Sequence, residues 1–158
     1  MFDIIQAYSA FVKPKIVALG RDVRTSSPAL ARAARDSFRA AGVDVVDIGV
    51  VGADMLYFAA WSMPVDGGVY VSASHNPREW NGLKFSRKGA APISSQSGLK
   101  DIAALAEKKA RARSRRKGVT QRKNILDRYV RFVLSFVKPQ SFTPIKIVAN
   151  ANFGTAFK

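Results

Sequence analysis

An α/β fold built on a mostly parallel sheet is what this sequence predicts, and three observations predict it. Short apolar, β-branched runs recur at Lys15–Leu19, Val43–Val51 and Gly67–Ala73, as in strands covered on both faces. Segments with apolar residues at helical spacing lie between them. The length of 158 residues is that of one domain. Strands alternating with helices call for a sheet joined by right-handed crossovers.

Each element has its own signal. Asp3–Phe11 reads as the end of a helix, with Ile4, Ile5, Ala7, Tyr8 and Phe11 apolar, and Lys13-Pro14 closes it. Lys15–Leu19 is the first strand. Ser27-Pro28 opens the next helix: the serine oxygen can accept an orphan N–H, and proline suits the first helical position. Leu30, Ala34 and Phe38 then repeat at i, i+4, i+8 on one face, and Gly42 stops the helix. Val43–Val51 is the second strand, Asp54–Met63 a short helix, Gly67–Ala73 the third strand and Gly82–Ser86 a fourth. Gly98–Ala112 and Lys123–Val137 are read as helices, the latter with an apolar face of Ile125, Tyr129, Phe132, Val133 and Phe136. Pro139–Pro144 reads as a linker and Ile145–Val148 as a final strand.

Composition excludes several classes. There is no cysteine, so neither a disulfide framework nor a thiolate metal site. No apolar run approaches the length that spans a bilayer, and no secretory signal opens the chain. A cytoplasmic protein without membrane association is the expectation. The net charge of +15 is unusual for one domain and calls for an anionic partner or an acidic domain beside it. Lys108–Lys123 concentrates nine cations without an acid. Such a run is either a solvated helix end or linker, or a surface for phosphate backbone; it has no interleaved aromatics for base stacking.

The chemistry gathers in Val71-Ser72-Ala73-Ser74-His75-Asn76-Pro77, followed by Asn81-Gly82-Leu83-Lys84. A hydroxyl, the chain's single histidine, an amide and a lysine lie within eleven residues, on the loop leaving a strand, where open α/β sheets bind ligands. No Walker loop, dinucleotide fingerprint or nucleophile elbow is present. A Ser-His-Asp triad is not expected, because adjacent residues rarely aim their side chains at one another.

Gly68–Phe85 resembles the phosphoserine loop of the α-D-phosphohexomutases, the phosphomannomutases, phosphoglucomutases and phosphoglucosamine mutases. Gly20-Arg21-Asp22-Val23-Arg24-Thr25-Ser26-Ser27-Pro28 resembles that family's Gly-Arg-Asp-x-Arg-x-Ser-Ser element, in the right order and at the right spacing. The resemblance implies a three-layer α/β/α first domain with a mixed, mostly parallel sheet. It implies phosphoryl transfer between C1 and C6 of a hexose phosphate through a bisphosphorylated intermediate, with the hexose 1,6-bisphosphate as activator. Ser74 would be the phosphoserine, His75 and Lys84 its catalytic neighbours, and Arg21, Arg24, Asn76 and Asn81 the support of the phosphate loop. Arg21 and Arg24 are equally suited to pair with phosphate or with Asp22. Asn81-Gly82 would allow a tight turn returning Lys84 to Ser74. Mg²⁺ would bind Ser74 through its phosphate, most of its ligands coming from the family's second domain.

That family's Asp-Gly-Asp-Gly-Asp-Arg metal loop and its later sugar and phosphate loops have no counterpart here. The expected organisation is a first domain over 1–138, then a linker and the first strand of domain II over 139–158. The remaining domains II–IV are expected to be needed for turnover, and the isolated chain to be inactive. The alternative is a degenerate mutase domain whose basic run binds nucleic acid or an acidic protein.

Overall fold

The computed structural model describes residues 1–112, 114–138, 142–152 and 154–155. Five strands and five helices follow in the order α1 (Phe2–Val12), β1 (Ile16–Arg21), α2 (Ser27–Ala40), β2 (Asp44–Val50), α3 (Ala53–Ser62), β3 (Gly67–Val71), β4 (Leu83–Arg87), α4 (Leu99–Glu107), β5 (Thr120–Arg122) and α5 (Leu126–Leu134). The sheet order is β4-β3-β1-β2-β5. Only β4 runs antiparallel, against β3; every other pair is parallel. The sheet is therefore mixed and mostly parallel, as expected.

Strand alternation assigns the two layers of helices. Val17, Leu19, Val45, Val69 and Val71 point to one face, where Ile5 and Tyr8 of α1, Ala34 and Phe38 of α2 and Ile102 of α4 pack on them. Ala18, Val46, Ile48 and Tyr70 point to the other, against Leu56, Phe58 and Ala59 of α3 and Ile125, Tyr129 and Phe132 from α5 and its approach. The result is the three-layer α/β/α arrangement.

Several expectations need correction. Ser26, not Ser27, stands at the N-cap of α2, and its side chain makes no cap bond; the Ser27 hydroxyl is buried and donates to Asp22 instead. Ser27 is already inside the first turn, and its oxygen accepts from the Asn81 amide at 2.9 Å rather than from a helix N–H. Both late helices are shorter than the apolar spacing suggests, and Val133 and Phe136 of the expected apolar face are exposed. The linker read at Pro139–Pro144 falls partly on residues 139–141, outside the described ones. Ile145–Val148 forms no strand, and Ile145, Ile147 and Val148 are exposed. A strand needs a neighbour to take its hydrogen bonds, and none of the described residues provides one there.

Two of the described arginines of the basic run are tied to the domain. Arg111 pairs with Asp3, and Ala112 N–H donates to Gln6 Oε1 at 3.2 Å. Arg116 forks onto both oxygens of Asp44 at 2.6 and 2.8 Å. That contact, with Val119 N–H as a second donor, holds the Asp44 carboxyl below the ordinary carboxylate range. Gly118 lies so close to the Val43 backbone that a Cβ would overlap it. From there the chain enters β5, a strand whose Thr-Gln-Arg sequence carries no apolar signal.

Two phenols tie the layers at buried sites. Tyr8 donates to the Ser86 carbonyl at 2.9 Å and Tyr70 to the Val51 carbonyl at 2.7 Å. Burial raises both phenol pKa values, Tyr70 to about 12; Tyr129, hydrogen-bonded to Asp54, is likewise raised to about 12. An unfolded tyrosine titrates near ~10. The folded groups keep their protons longer, so their contribution is complete below that value and is lost as pH rises through about 12. Circular dichroism should show the fold intact at pH ~9.5 and failing over the next two units. Loss of structure already complete below pH ~9.5 would contradict this assignment.

Candidate functional site

The site sits where the loops leaving β1 and β3 meet. These strands are neighbours in the sheet but not in the chain, and their carboxyl ends frame a crevice of the kind that holds ligands in open α/β sheets. The crevice encloses about 1090 Å³ and is bordered by Asp22, Arg24, Ser72, Ser74, His75 and Lys84 among others.

Ser74 has φ of 58°, a left-handed conformation that costs a side-chain-bearing residue roughly 1–2 kcal/mol. Two contacts hold it. Ser72 Oγ accepts the Ser74 N–H at 2.9 Å. The Arg24 guanidinium donates to four carbonyls of the same loop: Ser74 at 3.1, Asn76 at 2.6, Pro77 at 2.7 and Trp80 at 3.1 Å. Arg24 is itself seated by Asp22, 3.3 Å from its Nε, and Asp22 Oδ1 accepts the Arg24 N–H at 3.0 Å. A rigid five-donor fork suits this task.

The turn exposes Ser74 Oγ and brings it 3.1 Å from His75 Nδ1, so these adjacent side chains do meet, against expectation. The left-handed backbone is what rotates them together. No hydrogen bond joins a carboxylate to His75 among the described residues. Lys84 comes from β4, where antiparallel pairing sets it opposite Tyr70, and its Nζ lies 3.5 Å from Ser74 Oγ. The hydroxyl thus faces an imidazole and an ammonium.

Asn81-Gly82 forms no tight turn, although Lys84 does return to Ser74. The Asn81 amide donates to Ser26 Oγ at 2.8 Å and Ser27 Oγ at 2.9 Å, stapling the two loops, while its Oδ1 accepts from Gly82 N–H. Gly82 has no positive φ; a Cβ there would press on the Ser72 carbonyl at 3.2 Å, so the glycine serves close approach. Asn76 contributes its backbone, donating to the Ala73 carbonyl and accepting from Arg24. Arg21 stands apart: its Nη1 donates to the Asp22 carbonyl, and it borders the neighbouring cleft with Asp47 and Arg122. Ser72 carries no signal of its own in the sequence, although it lies inside the second motif; Asp22, expected as a possible partner of the two arginines, pairs with Arg24.

Arg24 and Asp22 neutralise one another, leaving Lys84 and Arg78 as the remaining charges of the crevice. An anionic ligand is what this charge selects.

The family description "Phosphoglucomutase/phosphomannomutase, alpha/beta/alpha domain I" matches residues 1–113. The chain belongs to this family. It is 42% identical over 153 residues to a phosphomannomutase of Escherichia coli, covering 96% of this chain and 34% of that protein. With a Vibrio cholerae phosphomannomutase it shares 40% over 160 residues, covering 98% and 35%. The crystal structure of a phosphoglucomutase/phosphomannomutase family protein from Burkholderia thailandensis superposes with a TM-score of 0.73 at 30% identity, over 87% of this chain and 31% of that one. This mutase domain thus spans about a third of the length of the relatives it matches.

The family implies Mg²⁺. The described residues hold no group of three or more His, Cys, Asp or Glu side chains that could bind a metal. The crevice's carboxylate, Asp22, is already engaged by Arg24 and Ser27. No helix of the described residues is long and apolar enough to cross a membrane.

Proposed function

We propose that this chain is the phosphoserine-bearing domain of a phosphohexomutase, with Ser74 carrying the phosphoryl group. The observation behind this reading is the left-handed Ser74, clamped by Arg24 and presenting its hydroxyl to His75 and Lys84. Strained residues persist where the surroundings over-determine them, which is typical of reaction centres.

In the proposed reaction the P–Oγ bond of phosphoserine 74 breaks as the phosphorus bonds to a free C1 or C6 hydroxyl of a hexose monophosphate. The hydroxyl gives up a proton and the serine oxygen receives one. His75 Nδ1 and Lys84 Nζ are the groups placed to handle these protons or to offset charge. The hexose 1,6-bisphosphate then reorients and returns its other phosphoryl group to Ser74. A phosphoserine brings about −1.5 to −2 charges, which Lys84 and the crevice's cationic balance accommodate. Mg²⁺ belongs to this reading with its carboxylate ligands outside the described residues, as do further domains and a cytoplasmic setting. The residues that favour mannose, glucose or glucosamine lie outside it as well. Residues 1–138 form the domain and 139–158 lead into the next.

The test is a chimera in which residues 1–138 replace the aligned part of the Escherichia coli relative. The chimera should interconvert hexose 1- and 6-phosphates, and Ser74→Ala within it should lower turnover at least ~1000-fold. The purified 158-residue chain alone should show no turnover. A folded chimera without activity, or one indifferent to Ser74→Ala, would sink the reading.

A further inference from the structure

The end of the sheet opposite Ser74 is also chemically distinctive. Strand register identifies it: Ile16 pairs with Asp44, and Gly67 pairs with Arg87, so these four residues share one end. Val71 and Leu83 pair at the other end, from which the Ser74 loop departs. Five- and six-residue strands separate the two ends by about 17–20 Å.

Cations from separate segments converge on that far end. Lys13 and Lys15 precede β1, Arg87 and Lys88 close β4, and Arg116 and Lys117 precede β5, with Arg116 donating to the Gly42 carbonyl. Two carboxylates flank these strand ends and offset two of the six cations, leaving the end net positive. Asp66 accepts from the backbone N–H groups of Lys15 at 2.8 Å and Ile16 at 3.2 Å. Asp44 is held by Arg116. Two shallow clefts, of about 420 and 390 Å³, open here and share Lys13 as a wall.

We infer that this floor of the sheet is a binding surface for the phosphate backbone of duplex nucleic acid. Its cations stand at the ends of alternate strands, β4, β1 and β5, about 10 Å apart, facing a polyanion whose charges repeat every ~1.7 Å of axis. Phe11, which borders one cleft, is half-buried with Arg87 over its ring, and none of the exposed large apolar side chains among the described residues borders either cleft. A membrane surface would call for apolar anchors, single strands for stacking aromatics, and a protein partner for an apolar interface centre. Contact is to phosphate, without base reading. The inference does not depend on phosphoryl transfer at Ser74.

The test is fluorescence anisotropy of the whole chain with a labelled random-sequence duplex of ~20 base pairs between ~50 and 200 mM NaCl. Three or four phosphate contacts give a log–log salt slope of about −3 to −4. The variant Lys15→Gln/Lys88→Gln/Lys117→Gln should lose at least ~10-fold in affinity at low salt and flatten the slope by about 2–3. A variant of equal net charge altered away from this floor, Arg122→Gln/Lys123→Gln/Arg131→Gln, should bind nearly as the parent does. Equal loss in both variants would reduce the effect to net charge and overturn the site. Absence of binding at ~50 mM salt, or binding to phosphatidylserine vesicles but not to the duplex, would overturn it too.

Discussion

Replacing Arg24 with alanine should lower stability by about 2–3 kcal/mol and cut turnover of the chimeric mutase at least ~100-fold. The side chain is only 15% exposed and bridges Asp22 to four carbonyls of the Ser74 loop. A hydrogen bond to a charged group contributes about 1.5–3 kcal/mol. The loop carbonyls can be rehydrated once released, so the loss amounts to one or two such bonds rather than five. The larger effect falls on geometry. Without the fork, only the Ser72 hydroxyl offsets the left-handed cost at Ser74, and the loop no longer holds the hydroxyl against His75 and Lys84. Arg24→Lys should recover little, because a compact ammonium cannot span four carbonyls. Urea denaturation and single-turnover kinetics on the chimera check both parts. A cost under ~0.5 kcal/mol with turnover within ~2-fold would remove Arg24 from its positioning role.

The clamp also marks the boundary of what the sequence makes legible. The alternation of apolar runs and helical spacing was enough for the layers, since Ala34 and Phe38 are fully buried where the i, i+4 pattern puts them. Burial on both faces gives β1 and β3 continuous apolar runs, and those are hard to miss. β5 is invisible because it is an exposed edge strand whose pairing depends on backbone groups, not side chains. At the site, the two motifs are local strings, and the residues they supply do meet. What the string cannot reveal is the direction of each bond. Whether Arg24 serves phosphate or carbonyl, and Asn81 a turn or a staple, depends on the approach of loops some fifty positions apart. Arg21 shows the same limit from the other side: one motif contains both arginines, yet the strand end turns them into different clefts.

Phe38→Ala should be the most destabilising change in the core, at about 3–5 kcal/mol. Phe38 is fully buried, and its ring meets Tyr8 edge-on at 5.8 Å. Tyr8 in turn stacks on Phe85 at 5.1 Å and bonds the Ser86 carbonyl. This aromatic chain joins α2 and α1 to β4, so truncation at the α2 end leaves a cavity beside Tyr8, the ring that packs on the strand carrying Lys84. A domain of this kind has about 5–15 kcal/mol in total, so the variant stands near the edge of folding and its melting temperature should drop by roughly 10 °C or more. Phe38→Leu, which keeps most of the volume, should cost less than about 1.5–2 kcal/mol. The contrast separates packing from chemistry: Phe38→Leu should leave Ser74 reactivity intact in the chimera, whereas Arg24→Ala removes it from a protein that is still folded. Should Phe38→Ala cost less than ~1 kcal/mol in denaturant, the layer on that face must be able to collapse around the gap, and the aromatic chain is not what holds β4 in place.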